Sequence, residues 1–250
     1  MASNRKSQEP AGGGFERPGI FRPPSERNSY FLPLTRGCSN STCTFCGLYG
    51  AKLRMRAVAE ARQEIDALAL FMKHGLRIPE IDHVVYAVAQ QWDGRRVFLQ
   101  DGDALVYPHP GLVEVLRHLN EKFPDLERIG TYATPQDILR RTREELIALR
   151  EQKLSILYVG VESGDDEVLL RIRKGVDHDQ IVAAGRKAKE AGLVLSLTVI
   201  LGLGGVGGSR RHVLETARVL SEIDPEYVGA LTLTLVPGTP LWEDWKQGTF

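Results

Sequence analysis

With 250 residues, 42% of them hydrophobic and 26% charged, the chain is long enough for one large domain or two small ones and can bury a sizeable core. Its 32 basic and 32 acidic residues cancel, which gives no electrostatic support for a nucleic-acid or anionic-membrane partner. No apolar run reaches the roughly 18–20 residues that span a bilayer, and the N-terminus lacks the apolar stretch of a secretory signal, so a cytoplasmic protein is expected.

Residues 1–28 are polar and rich in Pro and Gly, and are expected to form a flexible or strap-like arm. The first strand is predicted at Tyr30–Thr35, and a loop carrying Cys38, Cys43 and Cys46 follows it directly. Leu53–Lys73 has helical spacing, with Met55, Val58, Ile65, Leu68, Ala69 and Met72 on one face. A second helix is expected over 80–91, where Ile81, Val84, Val85 and Val88 repeat at three and four. Val97–Gln100 reads as a strand ending in Asp101-Gly102-Asp103. Pro110–Glu121 reads as a helix, Ile129–Ala133 as a strand and Gln136–Glu151 as a helix. Ser155–Val161 is the next strand, followed by helices over Asp165–Arg173 and 179–191. Leu193–Leu201 is a nearly all-apolar strand, then comes a glycine-rich turn, a helix over 210–223 and a last strand over Tyr227–Val236.

Strands of this kind, apolar on both faces and alternating with helices, suit a buried parallel sheet in an α/β fold. Chemistry in such sheets sits at the carboxyl ends of the strands. Polar or glycine-rich groups follow the predicted strand ends at Cys38–Cys46, Asp101–Asp103, Thr131–Thr134, Glu162–Gly164, Gly202–Gly208 and Pro237–Thr239. A single catalytic rim would gather them all.

All three cysteines of the chain lie in one loop with the spacing C-x4-C-x2-C. An odd, crowded set argues against a disulfide framework. Three thiolates suit a [4Fe–4S] cluster, leaving one iron without a protein ligand. Structural zinc is the alternative, and it needs a fourth ligand from afar, such as His74, His83 or His109. Phe45, between the second and third cysteines, either shields a cluster or only packs the loop.

These residues resemble the radical S-adenosylmethionine (SAM) enzymes, whose usual spacing is C-x3-C-x2-C, so this loop carries one extra residue. Phe98–Leu105 is similar to the family's second-strand motif, which implies a backbone contact from Gly102 and Asp103 to the amino group of SAM. Val159–Gly164, running on to Lys174, resembles the fourth-strand region of the subgroup related to oxygen-independent coproporphyrinogen oxidase. There Glu162 and Ser163 would lie near SAM and Lys174 would pair with its carboxylate. Thr198, Ile200 and Gly202 fall where the fifth strand meets ribose and adenine, and Pro237 falls in the sixth-strand adenine segment. Each residue also has a plainer reading. Asp101–Asp103 is a common turn, Glu162 with Ser163 could cap a helix, Lys174 could be a solvated helix-end charge, and Tyr132 faces either substrate or core.

The resemblance implies a partial (β/α)6 TIM-like barrel over residues 29–250, oxygen-sensitive, that holds the cluster on Cys38, Cys43 and Cys46. SAM would be cleaved to a 5′-deoxyadenosyl radical with an electron from flavodoxin or ferredoxin. The substrate is not legible, and no ligands exist for a second cluster. The chain stops at Phe250, soon after the sixth strand, where family members often continue, so a small or truncated member is expected. One competing motif is Gly202-Leu203-Gly204-Gly205-Val206-Gly207, which matches the G-x-G-x-x-G of dinucleotide-binding oxidoreductases. It lacks the acid those enzymes place at the end of the next strand.

Overall fold

The structure, a computed structural model, describes residues 15–48 and 52–250. The glycine-rich beginning of the arm, over 1–14, and Tyr49, Gly50 and Ala51 at the end of the cysteine loop lie outside these. Six parallel strands form the sheet, in the order β1 (Tyr30–Pro33), β4 (Arg96–Gln100), β5 (Arg128–Ala133), β6 (Leu154–Glu162), β7 (Val194–Leu201) and β8 (Tyr227–Thr232). This is the α/β architecture of a partial barrel. Strand order follows chain order, so each strand end opens onto the same rim.

Between the strands run α1 (Val58–His74), α2 (His83–Ala89), α3 (His109–Lys122), α4 (Pro135–Arg140), α5 (Arg143–Glu151), α6 (Asp166–Arg171), α7 (His178–Glu190) and α8 (Gly205–Ile223), and α9 (Pro240–Lys246) closes the chain. One face of the sheet packs on helices. Tyr30, Leu32, Val97, Leu99, Leu157, Leu195 and Leu197 join Ile65, Leu112, Leu116, Leu149 and Ile181 in a single core. Alternation sends Phe31, Phe98, Ile156 and Tyr158 to the other, concave face.

Several elements differ from the sequence expectation. The predicted helix from Leu53 begins only at Val58, because Arg54–Met55 (β3) pairs antiparallel with Thr35–Arg36 (β2). Gln136–Glu151 is two helices. Arg141 turns inward to bond the carbonyls of Leu105 and Tyr107, and Thr142 restarts the chain with a capping box on Glu145. Helix α8 starts at Gly205 rather than Arg210, and β8 stops at Thr232 rather than Val236.

Residues 15–29, the described part of the arm and called the strap below, run over the concave face from Gln100 near the rim to Arg128 at the floor. Gln100 donates to the Gly19 carbonyl at 2.6 Å, and Phe21 stacks on Tyr132 with ring centroids 5.6 Å apart. At the floor Glu26, fully buried, accepts from the Tyr158 hydroxyl and the Arg128 guanidinium, each at 2.5 Å. Proline and glycine in the arm do not prevent burial, since a charged residue is buried when its partners are built in.

Candidate active site

Strand β1 delivers the chain to the rim, and the short β2–β3 ribbon holds the cysteine loop beside the end of β4. Gly37 N donates to the Asp101 carboxylate at 2.5 Å. The two backbones touch: a Cβ on Gly102 would lie 2.3 Å from the Gly37 carbonyl oxygen and 2.8 Å from the Cys38 Cα. Only glycine permits this approach, so the turn after β4 is fitted to the loop and is not a free surface turn.

The other side of the loop is sutured to the connection between α6 and α7. Asn40 Nδ2 donates to the Lys174 carbonyl at 2.5 Å, Thr42 Oγ1 to the Arg173 carbonyl at 3.2 Å, and Thr44 N to the Ile172 carbonyl at 3.0 Å. Cys38, Cys43 and Cys46 are all free thiols, Cys43 buried and the others half-buried. Asn40 Nδ2 also stands 3.2 Å from the Cys43 sulfur, and Leu48 N 3.4 Å from that of Cys46. Burial pushes the Cys38 thiol up to about 11 and raises that of Cys43, with the Lys174 ammonium pulling against it in both cases.

This donor set fits an iron–sulfur cluster. Three soft sulfurs share one loop, two of them receive N–H bonds of the kind that tune cluster thiolates, and the buried cationic charge of a metal would favour the thiolate form. Among the described residues no three His, Cys, Asp or Glu side chains, the three cysteines included, are already gathered around one point, so the preference for a cluster over zinc rests on donor number and type: zinc needs a fourth ligand that this loop does not supply. Phe45 packs with Val168, Ile172, Leu203 and Leu241, a contact that holds the loop against α6 and α9.

Strand β6 ends in a bulge between Gly160 and Glu162, with Glu162 in the left-handed region at φ 65°. This turns the carboxylate back along the strand. Lys174 Nζ donates to Glu162 Oε1 at 3.0 Å, and a Cβ on Gly160 would lie 2.1 Å from that oxygen. Glu162 is therefore not a helix cap, a role Asp165 fills through Glu167 N. Lys174 is not a solvated charge, being 5% exposed. Burial lowers its pKa, but Glu162 and the Cys43 sulfur outweigh that and raise it, so it stays an ammonium.

Two of the candidates do not face the open rim. Ser163 is fully buried and spent on His212 Nδ1, 2.8 Å away, and on Asp165 N. The Asp103 side chain is also fully buried: Oδ1 accepts from Leu105 N and Oδ2 from Thr134 N. Burial first, then the neighbouring Asp137, drives the Asp103 carboxyl well above the usual range. Asp137 is held below that range despite its own burial, by hydrogen bonds from Asp103, Ser39, Thr134 and Arg140. Through Ser39 and Thr134 these two carboxyls tie the cysteine loop to the ends of β4 and β5.

The remaining candidates lie on the concave face or the rim. Tyr132 is half-buried there, edge-on to Phe98 and Tyr158. Thr198 and Ile200 are half-exposed, and the Ile200 carbonyl is held by His212 Nε2 at 3.1 Å. Gly202 takes φ 100° at the turn after β7, and Pro237 is exposed beyond β8. The sequence reading missed Asn40, Asp101, Asp137 and His212. Asn40 and Asp101 lie inside the motifs themselves; Asp137 shows as the partner of Thr134 in a helix cap, and His212 carries no local signal.

The sequence profile described as the Radical SAM superfamily matches residues 32–220, which holds all of the cysteine loop and the sheet up to α8. The chain belongs to the radical SAM superfamily. Enzymes of this family use a [4Fe–4S] cluster and SAM, and they require a reductant and a substrate. An uncharacterized methyltransferase of Pyrococcus horikoshii is 31% identical over 96 residues, covering 38% of this chain and 20% of its own length. An uncharacterized protein of Methanocaldococcus jannaschii is 32% identical over 127 residues, 50% of this chain and 39% of its own. The chain thus spans less than half the length of these curated relatives. Among solved structures, methylornithine synthase (PylB) superposes with a TM-score of 0.58 at 21% identity, over 85% of this chain and 55% of its own. Coproporphyrinogen III oxidase (HemN) from Escherichia coli gives 0.57 at 20%, over 84% and 44%. The cobalamin-dependent OxsB gives 0.64 at 16%, over 90% and 37%. At these identities the superpositions establish a shared fold. Among the described residues no helix is long and apolar enough to cross a membrane.

The glycine run that resembled a dinucleotide fingerprint has another job. Gly202 and Gly205 take positive φ, and a Cβ on Gly204 would lie 2.9 Å from Gly208 and from the His212 Cβ. The run lets α8 pack tightly over the end of β7. Strand β8 ends at Thr232, with no acid there to hold a ribose.

Proposed function

We propose that this chain is the catalytic core of a radical SAM enzyme that holds a [4Fe–4S] cluster on Cys38, Cys43 and Cys46. The observation that carries the reading is a loop with all three of the chain's thiols, sutured between the β4 turn and a buried Glu162–Lys174 pair. When bound, the cluster would supply the electron, drawn from a reduced flavodoxin or ferredoxin, for reductive cleavage of SAM and so for hydrogen abstraction from the substrate. The chain's own residues bind and orient. Cys38, Cys43 and Cys46 would hold the cluster through three thiolates, and SAM would be its further ligand through its amino and carboxylate groups. The Lys174 ammonium stands ready for that carboxylate, with Glu162 fixing its place. Gly102 presents backbone to the amino end, and Thr198, Ile200, Gly202 and Pro237 lie along the path to ribose and adenine. Phe45 and its apolar neighbours keep water from the loop's far side. The division of labour is the usual one for a cofactor enzyme, in which the protein supplies position and seclusion.

The test is anaerobic reconstitution with iron and sulfide, then addition of SAM and dithionite. Formation of 5′-deoxyadenosine, together with a brown protein absorbing near ~400 nm against colourless zinc, is the expected result. A protein that takes up iron and yields no 5′-deoxyadenosine contradicts the proposal.

A further inference from the structure

The strap occupies the face on which a radical SAM enzyme must receive its substrate, and it does so unevenly. Its contacts fall on β1, β4, β5 and β6, through Phe31, Gln100, Tyr132, Arg128 and Tyr158. Among the described residues none of these hydrogen-bond, ion-pair or ring partners lies on β7 or β8. Along β7 the concave positions Ser196, Thr198 and Ile200 are half-exposed, while the alternate positions are buried. The concave face is therefore lined by the strap on one flank and open on the other.

The strap is anchored at both ends of its described part. Arg17 pairs with the buried Glu64 and donates to the Phe31 carbonyl at 3.1 Å, and Glu26 is fixed at the floor. Between these anchors the chain presents large groups to open space. Ile20 is 48% exposed and Phe21 is 66% exposed, although Phe21 is stacked on Tyr132 at an interplanar angle of 26°. A ring stacked on one side and bare on the other is an apolar platform. Next to it, Arg22 lies over the Phe31 ring with Cζ 4.4 Å from the centroid. Among the described residues the Arg22 guanidinium has no carboxylate partner, whereas Glu26 and Glu162, the acids on this face, are already matched by Arg128 and Lys174. Where the strap meets β4, the buried Gln100 Oε1 accepts no hydrogen bond. A stacking surface and an unmatched guanidinium fork, on adjacent residues, lie on one flank.

We propose, resting on the radical SAM reading above, that the strap is the inner wall of the substrate site. Phe21 on Tyr132 and Arg22 on Phe31 would select a flat, unsaturated or aromatic substrate that carries an acidic group. The ring would stack on the exposed face of Phe21, and the acid would take the bidentate bonds the guanidinium leaves unused. Substrate choice would then reside in a segment outside the barrel's own strands.

The test uses the full chain, reconstituted anaerobically with SAM, and two probes of one shape: anilinonaphthalene sulfonate, a flat anion, and neutral phenylnaphthylamine. Equilibrium dialysis should show the sulfonate bound about ten-fold tighter than the amine, as a charge-assisted pair allows. Arg22→Gln should abolish that preference and Arg22→Lys should restore part of it. Phe21→Ala should weaken both probes by about five-fold, the size of one stacked pair. Both side chains are exposed enough for the variants to fold. Arg22→Gln keeping the preference, or Phe21→Ala binding both probes as the parent does, overturns the proposal. Failure of the parent protein to form 5′-deoxyadenosine overturns the radical chemistry instead, and leaves the probe outcome to decide what the strap does.

Discussion

Strands β1, β4, β5 and β6 are covered on both faces, by helices outside and by the strap inside, whereas β7 is covered on one face and β8 on neither. Leu32, Val97, Phe98 and Leu99 are at most marginally accessible, while Tyr227, Val228 and Leu231 of β8 are more than half exposed. The buried flank also carries the polar network that holds the cysteine loop: Gly37–Asp101, Ser39–Asp137 and Asn40–Lys174. Precise placement of a reactive centre needs surroundings that cannot relax, and low dielectric with full hydrogen bonding supplies that. The open flank leaves β8 and the concave side of β7 accessible to solvent. Rigidity and access are thus assigned to different strands of one sheet.

The contrast can be broken or sharpened in order of effect. Cys43→Ala should abolish cluster assembly and 5′-deoxyadenosine formation altogether, read by iron content and product analysis, because no other thiol exists to replace it. Lys174→Met leaves the buried Glu162 carboxylate unmatched, so denaturant unfolding should show a loss of about 3–5 kcal/mol. Leu99→Ala, in the fully buried centre, should cost about 2–5 kcal/mol. Leu231→Ala, on the open flank, should stay within about 0.5 kcal/mol. Equal costs at Leu99 and Leu231 would erase the distinction between the flanks.

The smallest effect is a pH dependence at the junction of the two flanks. Burial lowers the His178 pKa, but the Gly164 carbonyl and the Glu222 carboxylate outweigh it, so the folded value lies above the ordinary 6.5. The protonated ring thus favours the folded state. That contribution is complete below the unfolded pKa and disappears as pH rises through the raised folded value. His178→Gln should therefore lower the melting temperature by about 1–2 °C in mild acid and by less in alkali, seen by calorimetry at a series of pH values. A constant offset across the series would contradict this role.

Most of the buried flank was legible in the sequence, since apolar strands alternating with helices leave few other architectures, and the crowding of three cysteines in one loop marked where the candidate site lies. What stayed hidden depends on distant partners. β3 is two exposed residues whose only argument for being a strand is β2. The glycines that open α8 disfavour a helix by propensity and are overruled by the fit of Gly204 against Gly208 and His212. The break before Thr142 was in principle readable from Thr142 and Glu145, a capping pair. Ser163 and Asp103 were singled out by their place in the motifs, but their side chains serve the scaffold, which position along the chain does not reveal. The sequence allowed either a flexible arm or a strap and named no partners for it, because Glu26 gives no sign locally that Arg128 and Tyr158 await it.

The central claim is that three thiolates from one loop leave a coordination position open for SAM. Electron paramagnetic resonance of the dithionite-reduced, reconstituted protein tests it most directly, recorded before and after SAM is added. A cluster spectrum that changes on addition of SAM is the predicted result. A cluster spectrum that SAM leaves unaltered, in protein with full iron content, would contradict the account.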